Sequence, residues 1–272
     1  MILSDSGAFS QIIRYPLGKR AHKPRQTGVT MVIDTGTCYE QLSGLLEIGS
    51  AYMDVLKLGF GTSCLYPTNV LRQKLSLARV FSVHTCPGGT LGEIALKQNV
   101  YDRYLERCHK LGFTAVEISD GTIDMSLDTR RRCIAKAKSI MQVVISEVGK
   151  KLDAHTDIEA YRAQVIADTE AGADFIVIEG RESGEQVGIY GDAGKIDTSI
   201  LEAFIASLPE EVMDKIIWEA PKKSQQVALI NRFGQSVNLG NIAVNDVIAL
   251  ECLRLGLRAD TFATTLTDDE NL

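Results

Sequence analysis

Short apolar runs recur along the chain, each closing in polar or Gly-rich residues and followed by a segment of helical periodicity. The runs cover residues 29–34, 52–61, 81–89, 114–121, 142–149, 173–184, 215–221 and 235–242. Several are continuous in Val and Ile, as parallel strands buried on both faces require. Between them, 101–113 sets Tyr101, Tyr104, Leu105, Cys108 and Leu111 three or four residues apart, which marks one face of a helix. Gly112 and Gly172 stand where such helices would stop, just before the next apolar run. Eight strand–helix units in 272 residues predict an α/β fold, a single-domain (β/α)8 TIM barrel. The competing fold, an open doubly wound sheet, normally carries a GxGxxG turn after its first strand; here that strand ends Ile33-Asp34-Thr35-Gly36. On this reading residues 1–25 are an N-terminal arm, 26–262 the barrel and 263–272 a C-terminal tail.

Charge narrows the partners. With 29 Lys+Arg against 35 Asp+Glu the net charge is −6, which argues against a broad nucleic-acid surface. It also sets a puzzle for any anionic ligand, since a local cluster of cations must outweigh the overall field. Six cysteines without a CxxC read as reduced thiols, with Cys38, Cys64 and Cys86 nearest to strand ends. The N-terminus lacks an apolar secretion core, and no run of ~18 apolar residues exists. A cytoplasmic protein without nucleic-acid or membrane partners is expected.

Active sites of such barrels lie at the C-terminal ends of the strands. There the runs supply Asp34; Lys57 followed by Gly-Phe-Gly-Thr-Ser; Gly88, Gly89 and Thr90; Glu117, Ser119 and Asp120; Glu147, Lys150 and Lys151; Glu179, Arg181, Glu182 and Ser183; Glu219 and Lys222; and Asn238 and Asn241. Glu117, Glu147, Glu179 and Glu219 end four successive runs. Buried carboxylates are paired or coordinated, so these either bridge to barrel lysines or ligate a hard cation such as Mg²⁺. Lys57 sits inside an apolar run, where a charge is costly unless it faces a polar centre. Arg181 suits bidentate contact with a planar anion. Gly88 and Gly89 expose backbone N–H groups to a ligand at close range.

The stretches KPRQTGVTMVID, YMDVLKLGFGTS, CPGGTLGE, GFTAVEISDGTIDM, SEVGKK, GADFIVIEGRESG, WEAPKKSQQ, FGQSVNLGNI and LECLRLGLRADTF together resemble the phosphosulfolactate synthase family, from Lys23 to Phe262. The resemblance implies a C–S bond-forming lyase that adds sulfite to C3 of phosphoenolpyruvate with Mg²⁺, giving (2R)-2-phospho-3-sulfolactate on the way to coenzyme M and related sulfonates. It implies Lys151 as the acid that protonates C2, and Glu117, Glu147 and Glu179 as metal ligands. Lys23, Arg25, Lys57, Arg181 and Arg258 would hold phosphate, carboxylate and sulfite, beside Gly88, Gly89, Ser183 and Asn238. A homo-oligomer is implied as well. The family pattern often places a lysine after the strand-one Asp, where this chain has Thr35. That departure leaves room for a paralogue adding sulfite to another unsaturated acid such as fumarate. Plant heat-stress-associated relatives supply a non-catalytic alternative on the same barrel.

Overall fold

The computed structural model describes residues 7–150 and 157–266. Its first half alternates β1 (Thr30–Asp34), α1 (Tyr39–Gly49), β2 (Val55–Leu58), α2 (Thr68–Val80), β3 (His84–Pro87), α3 (Gly89–Lys97), α4 (Tyr101–Leu111), β4 (Ala115–Ile118) and α5 (Leu127–Lys138). The second half continues with β5 (Val143–Val148), α6 (Ile158–Glu170), β6 (Phe175–Ile178), α7 (Thr198–Ser207), α8 (Glu210–Met213), β7 (Ile216–Glu219), α9 (Lys223–Phe233), β8 (Asn238–Ala243), α10 (Val247–Arg254) and α11 (Ala259–Phe262). Each expected run contains one strand.

The strands form one parallel sheet in the order β3-β2-β1-β8-β7-β6-β5-β4. Thr114 draws β3 and β4 together at the remaining seam. Its N–H donates to Thr85 O (3.2 Å), and its Oγ1 accepts from Thr85 N (2.9 Å). The result is a nearly closed (β/α)8 barrel. Gly112 ends α4 at φ 110° and Gly172 lies just past α6 at φ 105°, a left-handed region that glycine enters without a Cβ clash.

Alternation along the strands divides the core in two. Val32, Leu56, Val116, Val144, Ile176, Trp218 and Leu239 face the helices. Met31, Val55, Cys86, Ala115, Ile145, Val177 and Ile217 form an apolar layer inside the barrel, each at most 1% exposed. Two residues further along the same strands stand Ile33, Lys57, Gly88, Glu117, Glu147, Glu179 and Glu219. The barrel interior therefore changes from wholly apolar to strongly charged within one layer, at the C-terminal end. Residues of the N-terminal segment cover the opposite end, where Leu17 N donates to Leu255 O (3.3 Å) and Gln235 Nε2 donates to Leu17 O (2.6 Å). Among the described residues no helix is long and apolar enough to cross a membrane.

Candidate active site

Lys57 is the hub of the charged layer. Its ammonium lies 2.8 Å from Glu117 Oε2 and 3.3 Å from both Glu147 Oε2 and Glu219 Oε1. Burial alone would pull its pKa down, but the three carboxylates outweigh burial and raise it well above 10.5. Glu117 is fixed from its other side, with Oε1 accepting from Gly89 N (2.8 Å). A Cβ on Gly89 would fall 2.5 Å from Ser119 Cβ and 2.8 Å from Glu117 Oε1. Gly89→Ala is therefore expected to cost about 1–3 kcal/mol of stability by overpacking and to displace Glu117. Urea unfolding together with a turnover assay checks this; wild-type values in both contradict it.

A second group of carboxylates faces the same space. One oxygen each from Glu147, Glu179 and Glu219 lies within 4.8 Å of the others, and all three residues are buried. Backbone and hydroxyl donors orient them: Glu179 Oε1 accepts from Arg181 N (2.7 Å), and Glu219 Oε2 from Gly180 N (2.9 Å). The Ser119 hydroxyl lies between Glu147 Oε1 (2.7 Å) and Glu93 Oε1 (2.6 Å), so its one proton serves the two in turn. Below β5, Arg130 reaches in from α5 to Asp168 (2.8 Å), Asp120 (3.0 Å), Ser146 Oγ (2.8 Å) and Glu147 O (2.7 Å). That fork fixes the strand end which carries Glu147.

These groups open onto a cavity of about 290 Å³ at the C-terminal mouth. Its lining includes Lys57 and Arg181 as cations, and Glu147, Glu179, Glu182 and Glu219 as anions. Gly59, Phe60, Gly61, Gly88, Gly89, Thr90, Ile33 and Asn241 complete it. Phe60, Arg181 and Asn241 all have left-handed backbones, at φ 55°, 55° and 52°. Such strain in non-glycine residues collects at functional sites. The donor set fits a divalent cation: three converging hard carboxylates and, among the described residues, more negative than positive charge in the lining.

The expected site residues divide between two ends of the barrel. Lys57, Gly88, Gly89, Arg181, Glu147 and Glu179 line the cavity, with Glu117 bonded beneath Lys57. Glu219 replaces Glu117 in the trio of converging oxygens, because Glu117 is turned toward Lys57 and Gly89. Ser183 is exposed in the loop after Arg181 and lies outside the lining. Lys151 lies outside the described residues.

Lys23, Arg25, Asn238 and Arg258, expected to hold ligand, lie outside the cavity lining. Lys23 Nζ donates to Ser50 O (3.0 Å) and Phe81 O (3.2 Å), ahead of β2 and β3, while Arg25 pairs with Asp54 (3.3 Å). Asn238 opens β8 rather than ending it, and bonds Val29 N, Asp214 O and Ile216 O. All three therefore bind the N-terminal end of the barrel, away from the mouth. Arg258 precedes α11 on the outer layer, 3.8 Å from Asp260. His84, also at that end, bonds Thr114 Oγ1 (3.2 Å) as a structural group.

Burial, opposed by Asp54 and assisted by Arg25, lowers the Lys23 pKa to about 8. The folded chain then binds fewer protons than the unfolded one between about pH 8 and 10.5, so stability rises with pH across that window. The unfolding free energy of wild type minus that of Lys23→Met should grow from about pH 8 to about pH 10 in urea titrations. A constant difference contradicts it.

The sequence profile described as (2R)-phospho-3-sulfolactate synthase (ComA) matches residues 18–260. A protein of Methanocaldococcus jannaschii named phosphosulfolactate synthase is 42% identical over 240 residues, covering 87% of this chain and 94% of that protein. Protein HEAT-STRESS-ASSOCIATED 32 of Arabidopsis thaliana is 25% identical over 86% of this chain and 88% of its own length. Among solved structures, 3-hexulose-6-phosphate synthase from Salmonella typhimurium aligns with a TM-score of 0.53 at 15% identity, covering 87% of this chain and 94% of that one. That likeness concerns the barrel alone.

Proposed function

The chain belongs to the phosphosulfolactate synthase family, and from that premise we propose that it adds sulfite to C3 of phosphoenolpyruvate, giving 2-phospho-3-sulfolactate. The observation that carries this reading is the cavity where Lys57 and Arg181 face the trio Glu147, Glu179 and Glu219. Fully charged substrates would be repelled by those carboxylates, so the site needs a divalent cation, Mg²⁺, held by the trio. When bound, the cation supplies electrostatic stabilisation to negative charge growing on the substrate carboxylate.

The remaining work falls to side chains. The sulfur lone pair of sulfite forms the new bond to C3, and sulfite needs no activated Ser or Cys to do so. The C2–C3 π electrons move toward C2 and its carboxylate, where an enediolate develops. Arg181 is suited to hold a carboxylate or phosphate, since its buried Nε lacks a partner among the described residues. The N–H of Gly88 donates to Leu58 O (3.0 Å) and that of Gly89 to Glu117 Oε1 (2.8 Å), so these two glycines serve the cavity by lacking a Cβ rather than as donors. Lys151, three residues past the end of β5, then delivers a proton to C2, and the phosphate ester stays intact. Lys57 keeps its proton throughout and holds the carboxylates in register.

Thr35 is exposed and outside the cavity lining. Asp34 beside it is taken up by Lys74 of α2 (2.7 Å) and by the N–H groups of Gly36 and Thr37. The substitution there gives no reason to prefer an acceptor without phosphate. Incubating the protein with sulfite, phosphoenolpyruvate and Mg²⁺ should yield the sulfonate by mass spectrometry. A folded protein that makes none removes the proposal, and a panel including fumarate shows whether another acceptor is preferred.

A further inference from the structure

Seven strands deliver a residue to the charged layer by simple alternation, and β8 breaks the rule. Gly240 occupies its apolar layer, where a Cβ would fall 2.9 Å from Met31 Cε and 3.0 Å from Ile217 Cγ2. Two residues on, Ile242 packs on the helix side instead of inside. The register explains this. Thr30 faces Leu239 but Val32 faces Ile242, so Gly240 and Asn241 together oppose the single residue Met31. This is a β-bulge, a device that re-aims a side chain and is common beside active sites. With φ at 52°, Asn241 is turned back into the cavity and completes the ring at the eighth strand.

Asn241 is 6% exposed, and the two ends of its amide differ. Nδ2 donates to Arg181 O (3.4 Å), whereas Oδ1 has no partner among the described residues. Glu219 accepts from Gly180 N while Asn241 donates to Arg181 O, so carboxylate and amide grip consecutive residues of one loop. An unpartnered acceptor beside three carboxylates cannot be satisfied by an ionised oxyanion, which offers only further acceptors. Lys57 is already shared among three carboxylates. A hard divalent cation takes amide carbonyl oxygens together with carboxylates.

We propose that Asn241 Oδ1 is a neutral oxygen ligand of a divalent cation held by Glu147, Glu179 and Glu219. This rests on the reading of that trio as a cation site. The same amide then ties the cation to Arg181, so cation loading and the setting of the anion-holding arginine depend on one residue.

The test is direct titration of the full chain with Mn²⁺, without substrates, following free Mn²⁺ by electron paramagnetic resonance. Glycine tolerates the left-handed backbone, so Asn241→Gly deletes the oxygen without adding strain. It is expected to weaken Mn²⁺ binding about tenfold or more, with an unchanged circular dichroism spectrum. Asn241→Asp restores an oxygen and should return affinity to the wild-type value or above. Unchanged Mn²⁺ affinity in Asn241→Gly overturns the proposal, and so does a raised KM for phosphoenolpyruvate with Mn²⁺ affinity intact, which would make Asn241 only a support for Arg181. Failure of the wild-type chain to bind Mn²⁺ overturns the cation reading of the trio as well.

Discussion

Replacing Lys57 with methionine is expected to leave the barrel about 3–5 kcal/mol less stable and without turnover. Methionine keeps much of the lysine stem, so the loss is chiefly electrostatic. Glu117, Glu147 and Glu219 would lose a common ammonium at 2.8–3.3 Å, inside a space that water scarcely reaches. Removing one partner of a buried ion cluster strands the rest, and this costs more than the cluster ever contributed. The carboxylates hold the Lys57 pKa above 10.5, so its contribution is fully present below that value and is lost only as pH rises through the folded one. Arginine should not rescue, because a planar guanidinium cannot occupy the point where three carboxylates converge. Urea unfolding and product formation measure both halves; wild-type stability in Lys57→Met refutes the hub.

Much of this layer is legible in the sequence. A lysine inside an apolar run and a glutamate near the end of four others can share a barrel only by facing its centre. Counting two residues from the apolar layer places Lys57, Glu117, Glu147, Glu179 and Glu219 together. Position relative to strand ends also separates the two ends of the barrel. Lys23 and Arg25 precede β1, and Asn238 opens β8, so each serves the floor. What local pattern does not carry is contact between distant segments. Arg130 reads as one of three arginines on a helix, yet it is fully buried beneath Glu147. Asp34 reads as a strand-end acid, yet it is consumed by Lys74. The bulge that admits Asn241 is a mismatch with β1 and depends on both strands.

The charge puzzle changes form in the structure. The overall −6 suggested that cations gather at the mouth to receive an anion. Among the described residues the lining instead holds more carboxylates than cations, and Lys57 is committed to them. On the proposed function, anion binding there would depend on added positive charge, and this would join the carboxylate trio, the Asn241 amide and Arg181 into a single requirement.

Lys151→Ala should lower kcat by about 10²–10⁴ while substrate affinities change only a few-fold. Lys150 and Lys151 follow β5 in tandem, and Lys150 has a structural task of its own. Lys150 Nζ donates to Asp120 O (2.8 Å), Ile123 O (2.8 Å) and Asp120 Oδ2 (3.1 Å), which pins it to the loop after β4. Gly149 at φ 127° turns the chain where a Cβ would meet Glu179 Cβ at 2.7 Å, so Gly149 itself lies pressed against Glu179. Lys150→Met should therefore loosen the β4 loop with a smaller loss of kcat. Lys151→Arg discriminates further. It keeps the positive charge but does not release a proton near neutral pH, so it should preserve substrate binding and leave kcat low. Steady-state kinetics on the three variants, with circular dichroism as the fold control, separates the roles. An arginine that restored turnover would make residue 151 an anion-holding charge and remove it as the acid.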